Sequence, residues 1–131
     1  MNILIDTHIL IWYTEGDNAL SKKHIDLMND TTNKIYISIV SFYEIAIKLN
    51  IAKLYLTKTI EQIFKQTTDA QINILPIAPN HLAQYQNLPI YPQHKDPFDR
   101  LIIATAVAQN LAIITADNNF KLYKELVLII E

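Results

Sequence analysis

The chain has no cysteine. Disulfides, thiolate zinc sites and a cysteine nucleophile are therefore excluded, and a reducing compartment fits. Glycine occurs once, at Gly16, too seldom for a P-loop, a G-x-G-x-x-G turn or a G-x-S-x-G elbow. Five prolines exclude collagen-like and low-complexity classes. Arginine occurs once, at Arg100, and the formal net charge is −2. A protein that holds nucleic acid by charge alone is basic overall, so any such role must rest on a local patch or on bound metal. No segment reads as membrane-spanning. The apolar opening Met1 to Tyr13 is interrupted by Asp6 and His8 and lacks the flank and cleavage site of a signal peptide. A soluble, cytoplasmic protein with no membrane partner is expected.

What is present points to a folded chain. Half of the 131 residues are hydrophobic and 18% are charged, which excludes disorder. No repeat, linker or charge block divides the chain, so one domain over residues 1–131 is expected. Apolar runs predict strands at Asn2 to Ile5, Lys34 to Val40, Ile72 to Leu75, Leu111 to Thr115 and Val127 to Ile130. Helices are predicted at Thr7 to Thr14, from Ser21 through Asn29, from Ser41 onward, from about Thr57 to Ala70, after Asn80, and from Asp96-Pro97 to about Gln109. A helical turn is expected at Asn118 to Leu122. Apolar strands alternating with helices imply a parallel sheet covered on both faces, an α/β fold. In such sheets, sites lie beyond the carboxyl ends of the strands.

Four carboxylates fall at that edge. Asp6 ends the first strand and Asp117 follows the fourth. Glu44 and Asp99 are expected in the first turns of two helices. At about 5 Å and an effective dielectric of about 20, each carboxylate pair repels by roughly 3 kcal/mol. Such a cluster requires protonation or a counter-charge. A hard divalent cation, magnesium or manganese, suits an all-oxygen, thiol-free site. Each acid also has a bland role open to it. Asp6 is placed to cap a helix, Ser41-x-x-Glu44 matches a capping box, Glu44 pairs with Lys48 at i, i+4, Asp99 favours a helix start and Asp117 begins a turn. None of these roles requires all four at one edge.

The remaining candidates are weaker. His8, His24, His81 and His94 share no metal-ligand spacing and read as surface or packing residues. Ser41 and Thr115 are candidates to orient a carboxylate or a water, against the plain roles of helix cap and strand residue. Arg100 either holds a phosphate or a partner's carboxylate, or pairs with Asp96. Lys48, Lys53 and Lys95 are candidates for nucleic-acid backbone contacts. Ile45 to Leu56 carries more apolar residues than one helix face buries, which leaves an interface or core packing open.

Four segments carry a family resemblance. Asp6-Thr7-His8-Ile9-Leu10-Ile11-Trp12 resembles the D-T-H-x-L-L-W opening of VapC-type toxins in the PIN-domain superfamily. Ser41 to Lys48 resembles their S-x-x-E-I-A-I-K segment, and His94 to Ala104 is similar to H-R-D-P-F-D-R-L-L-I-A. Ile114-Thr115-Ala116-Asp117, with Phe120 and Tyr123, resembles the closing T-x-D-x-x-F-x-x-Y. The resemblance implies a three-layer α/β/α PIN fold with a mainly parallel sheet. It implies a metal-dependent endoribonuclease that hydrolyses RNA phosphodiesters with metal-activated water. It also implies the toxin half of a type II toxin–antitoxin module, a homodimer paired with an antitoxin. Carried over by position, the acidic quartet is Asp6, Glu44, Asp99 and Asp117, holding magnesium or manganese. Two departures stand out: Ala52 where glycine is common, affecting a turn, and Thr105 where glutamine is common. Asp96 is a fifth acid, read as an N-cap rather than an outer ligand. The rival readings are a non-catalytic scaffold that binds metal or RNA and, with less support, a phosphatase. Asp6-Thr7-His8 lacks the second aspartate of a D-x-D-x-T motif.

Overall fold

The computed structural model describes residues 1–131. Five strands form one sheet: β1 (Asn2–Ile5), β2 (Lys34–Ser38), β3 (Asn73–Leu75), β4 (Ala112–Ile114) and β5 (Ile129–Ile130). Their order is β3-β2-β1-β4-β5 and every pairing is parallel. β1 is central, with Ile5 opposite Ile37 on one side and Ile114 on the other. Six α-helices connect the strands: α1 (Thr7–Glu15), α2 (Lys22–Asn29), α3 (Ile39–Asn50), α4 (Ile60–Asp69), α5 (Pro79–Gln86) and α6 (Pro97–Gln109). A 3-10 helix over Asn118–Tyr123 joins β4 to β5.

The alternation of side chains along β1 divides the core in two. Ile3 and Ile5 pack with Ile9 and Leu10 of α1, Phe42 and Ile45 of α3 and Ile63 of α4. Phe42 stacks on Phe64 with ring centroids 4.0 Å apart. Leu4 points to the opposite face and packs with Ile102, Ile103 and Ala106 of α6 and with Phe120 and Tyr123. The sheet is thus buried on both sides, which explains strands that read as continuous apolar runs. The result is the three-layer α/β/α sandwich expected.

Boundaries differ from the sequence reading where caps overrule propensity. β2 ends at Ser38 rather than Val40, because the Ser38 side chain accepts from the Val40 backbone N–H at 3.1 Å and starts α3. Ser41 therefore lies inside α3, the Ser41–Glu44 capping box does not form, and Glu44 falls in the second helical turn. α4 begins at Ile60, capped reciprocally by Thr59 and Gln62, rather than near Thr57. α5 begins at Pro79 with Ala78 as its cap, and Nδ1 of His81, rather than Asn80, accepts from the Ala78 N–H. β5 is shorter than expected, although Ile113 N–H already donates to the Leu128 carbonyl.

Candidate active site

The strand order places connections on opposite sides of β1 and β4. β1 leads outward to β2, whereas β4 leads outward to β5. The crevice between the carboxyl ends of β1 and β4 is the topological switch point at which α/β sheets bind ligands. Asp6 directly follows β1, and Asp117 lies three residues beyond β4.

Asp6 is buried and its two oxygens are used differently. Oδ1 accepts from the Ile9 N–H at 2.9 Å and caps α1, while Oδ2 accepts a short hydrogen bond from the Thr115 hydroxyl. The Thr115 oxygen in turn accepts from the Asp117 N–H at 3.0 Å. One threonine thus ties two of the four acids together, so Thr115 orients carboxylates rather than serving as an ordinary strand residue. Burial pushes Asp6 up to about 6, against the opposing hydrogen bonds from Thr115 and Ile9, and repulsion from Asp117 and Glu44 adds to the rise. Asp117 caps the 3-10 helix through the Asn119 N–H at 2.9 Å. Asp6, Asp117, His8, Trp12 and Ala116 line an open cavity of about 240 Å³.

Glu44 reaches this edge from α3. One oxygen pairs with Lys48 Nζ at 2.9 Å. The other, Oε1, is buried without any hydrogen-bond partner. Asp99, in the first turn of α6, is pushed up to about 6 by burial, opposed by a hydrogen bond from His94 and reinforced by repulsion from Asp96 and Glu44. Glu44 therefore repels both Asp6 and Asp99, which puts the acids within electrostatic reach of one another. Asp96 is the N-cap of α6, accepting from the Phe98 and Asp99 N–H groups at 2.8 and 3.0 Å, and is exposed.

Several supporting residues sit elsewhere than their types suggested. Arg100 makes no ion pair with Asp96, whose Oδ1 accepts both capping hydrogen bonds. It is 8% exposed, donates to the Pro89 carbonyl and to the Tyr123 hydroxyl at 2.9 Å each, and lies over the Tyr85 ring. Its Nη1 is thus committed to partners inside the chain. Ser41 is buried and accepts from the Thr7 hydroxyl at 2.9 Å, which joins α3 to the start of α1. Lys48 is engaged by Glu44, whereas Lys53 and Lys95 are exposed. His24, His81 and His94 are buried and only His8 is exposed. The residue that sequence reasoning missed is His94. Its Nε2 lies 3.2 Å from Asp99 Oδ2, and ligand atoms of His94, Asp99 and Asp117 lie within 4.8 Å of one another. The available signal was its place five residues before Asp99, between Pro92 and Pro97.

The donor set fits a divalent cation. It consists of hard carboxylate oxygens, one of them buried without a partner, beside the His94 imidazole, and two of the acids are held well above their ordinary range by burial. Lys48 supplies one positive charge to Glu44, whereas Asp6 and Glu44 stand outside the group of His94, Asp99 and Asp117 whose ligand atoms lie within 4.8 Å of one another.

Comparison with known proteins agrees with this architecture. Residues 3–126 match the family model of the PIN domain. No curated protein matches the chain. Among solved structures, a toxin–antitoxin complex from Klebsiella pneumoniae is similar at a TM-score of 0.66 and 21% identity, with 98% of this chain and 96% of that chain covered. VapBC2 from Rickettsia felis, bound to a DNA fragment from its promoter, gives 0.65 and 20%, covering 98% and 97%. FitAcB from Neisseria gonorrhoeae gives 0.64 and 19%, covering 98% and 96%. With the family model matched over nearly its whole length, the chain belongs to the PIN-domain family.

Proposed function

We propose that the chain, folded as a single PIN domain over residues 1–131, is a metal-dependent endoribonuclease of the VapC type. Asp6, Glu44, Asp99 and Asp117 hold magnesium or manganese, and RNA phosphodiesters are hydrolysed there. The observation that carries this reading is a cluster of carboxylates at the switch point, containing a buried Glu44 oxygen with no partner. When bound, the cation supplies the charge that admits an RNA phosphate and lowers the pKa of a water molecule. The chain's own residues do the rest. Thr115 fixes the Asp6 carboxylate and, through the Asp117 N–H, the start of the 3-10 helix. Lys48 holds Glu44 by one oxygen and leaves the other free. Asp96 fixes the first turn of α6, from which Asp99 projects. No nucleophilic side chain is required, consistent with the lack of cysteine. Lys53 and Lys95 are exposed and suited to contact the RNA backbone.

The toxin role and a cognate antitoxin are proposed from the VapBC and toxin–antitoxin complexes that share the fold. A homodimer is proposed as well. Tyr43, Ile51 and Tyr55 are exposed, Tyr55 at 84%, which supports an interface at the end of α3 and the turn after it. No helix is long and apolar enough to cross a membrane, and a cytoplasmic location remains part of the proposal.

The test is cleavage of total, transfer and ribosomal RNA by the purified chain with magnesium, manganese or chelator, beside a folded Asp99→Asn variant. Metal-dependent cutting that leaves 5′-phosphate and 3′-hydroxyl ends, reduced at least about a hundredfold in the variant, is expected. Cutting that survives chelation, or that the variant performs at the wild-type rate, contradicts the assignment. Metal binding without cutting by either protein would favour the scaffold reading.

A further inference from the structure

Behind Asp99 runs a buried chain of polar groups. Arg100 Nη1 lies 2.9 Å from the Tyr123 hydroxyl, that hydroxyl lies 2.9 Å from His94 Nδ1, and His94 Nε2 lies 3.2 Å from Asp99 Oδ2. A guanidinium can only donate, so the Tyr123 oxygen accepts from Arg100. Tyr123 has one proton of its own, and it is 1% exposed with no other acceptor in its hydrogen bonds than His94 Nδ1. Donating there makes Nδ1 the acceptor and places the ring proton on Nε2, facing the Asp99 carboxylate. In this polarity every donor meets an acceptor. The reverse polarity strands the tyrosine proton in the core and sets a nitrogen lone pair against a carboxylate oxygen, and an unmet buried donor costs about 1–3 kcal/mol.

We propose that His94 is a positioning residue for the candidate nuclease: its Nε2–H holds the Asp99 carboxylate, and Tyr123 and Arg100 fix the imidazole in the tautomer that can do so. The consequence for metal rests on the nuclease reading; the tautomer does not. The ring has little freedom to turn. It is 4% exposed and sits between Phe120 and Tyr123, with centroids at 5.8 and 5.5 Å. Arg100 is anchored separately by the Pro89 carbonyl and the Tyr85 ring. Arg100 follows Asp99 in α6, while Tyr123 ends the 3-10 helix that Asp117 caps. The chain therefore locks the two elements carrying Asp99 and Asp117 to each other. Outer hydrogen bonds of this kind orient carboxylate ligands, and their loss typically weakens metal affinity 10- to 100-fold.

Two readouts test the proposal. In ¹⁵N-labelled protein, long-range ¹H–¹⁵N spectra of the imidazoles, with His94 assigned by its loss in His94→Gln, should show the Nε2–H tautomer both without and with magnesium. Tyr123→Phe should lose that single tautomer. An Nδ1–H tautomer without metal overturns the proposal, and loss of the Nε2 proton when magnesium binds overturns it in favour of His94 as a direct ligand. In manganese titrations, His94→Phe should bind about tenfold more weakly than wild type. His94→Gln, whose amide can donate from the Nε2 position, should stay within about threefold of wild type if the donor is what matters. Equal affinity in His94→Phe overturns the proposal. Should His94→Phe fail to fold, the Tyr123→Phe tautomer and the His94→Gln affinity decide. A wild-type chain that binds no manganese defeats the nuclease reading, while the spectra still judge the relay.

Discussion

Thr115 shows how one side chain governs the site. Its hydroxyl donates to Asp6 and accepts from the Asp117 backbone, so its loss strands a buried carboxylate oxygen and a backbone N–H together. Thr115→Val, nearly the same shape, is expected to destabilise the metal-free protein by about 1–3 kcal/mol in urea denaturation. Thr115→Ser should recover most of that loss, and equal stability of the valine variant would remove Thr115 from the account. At this scale the places of Asp6 and Asp117 beyond β1 and β4 were legible in sequence, because a strand end can be read from where an apolar run stops, whereas Glu44 was expected one helical turn too early. Asp6 also performs the capping role open to it, with the oxygen that Thr115 does not use, and Asp117, read as the start of a turn, caps the 3-10 helix. Arg100 and His94 were not legible. Each is defined by Tyr123, 23 and 29 residues away, and a buried hydrogen bond across that span leaves no local pattern.

Among the elements, the turn after α3 carries a measurable strain. Ala52 has a φ of 57°, in the left-handed region that disfavours any residue with a Cβ. The sequence marked this position only as alanine where glycine is common; the backbone supplies the reason. Ala52→Gly is expected to stabilise the protein by about 1 kcal/mol, a rise of about 3–5 °C in Tm. An unchanged or lower Tm would mean that the added freedom of glycine in the unfolded chain offsets the relief. By contrast, Gly16 and Asn110 end α1 and α6 in the same region with residue types that suit it. The start of α3 was misread for a related reason. Ser38 and Ser41 both suit a cap, β-branched residues lie between them, and only the tertiary register of β2 against β1 decides which one begins the helix.

For the whole molecule, the switch point concentrates negative charge where burial penalises it. Asp6 and Asp99 rise from 3.8 to about 6 on folding, so between about pH 4 and pH 6 the folded state binds more protons than the unfolded state. Stability contributed by these groups therefore falls as pH rises through that window, the reverse of an ordinary ion-paired carboxylate. His24 and His81, lowered by burial, contribute stability that is lost as pH falls below 6.5, so the comparison must be a difference between proteins. In chelator, Asp6→Asn/Asp99→Asn should gain on wild type from pH 4 to pH 6 by on the order of 4 kcal/mol, about 2 for each group, and level off above that window. Millimolar magnesium should reverse the order at pH 7 by stabilising wild type alone. A pH-independent difference would contradict the burial argument.

The layered α/β architecture and its parallel sheet were legible from alternating elements, because burial on both faces writes continuous apolar strands. Strand order was not, since β1 pairs with β4 across more than a hundred residues. That pairing brings Asp6 and Asp117 to the crevice where the four acids are proposed to hold a cation. The most direct measurement of that claim is a calorimetric titration of manganese into the chelator-stripped chain at pH 7, beside folded Asp99→Asn. Saturable binding by wild type that weakens at least about tenfold in the variant is predicted. Binding of equal strength by both, or by neither, would contradict a cation site built from these carboxylates.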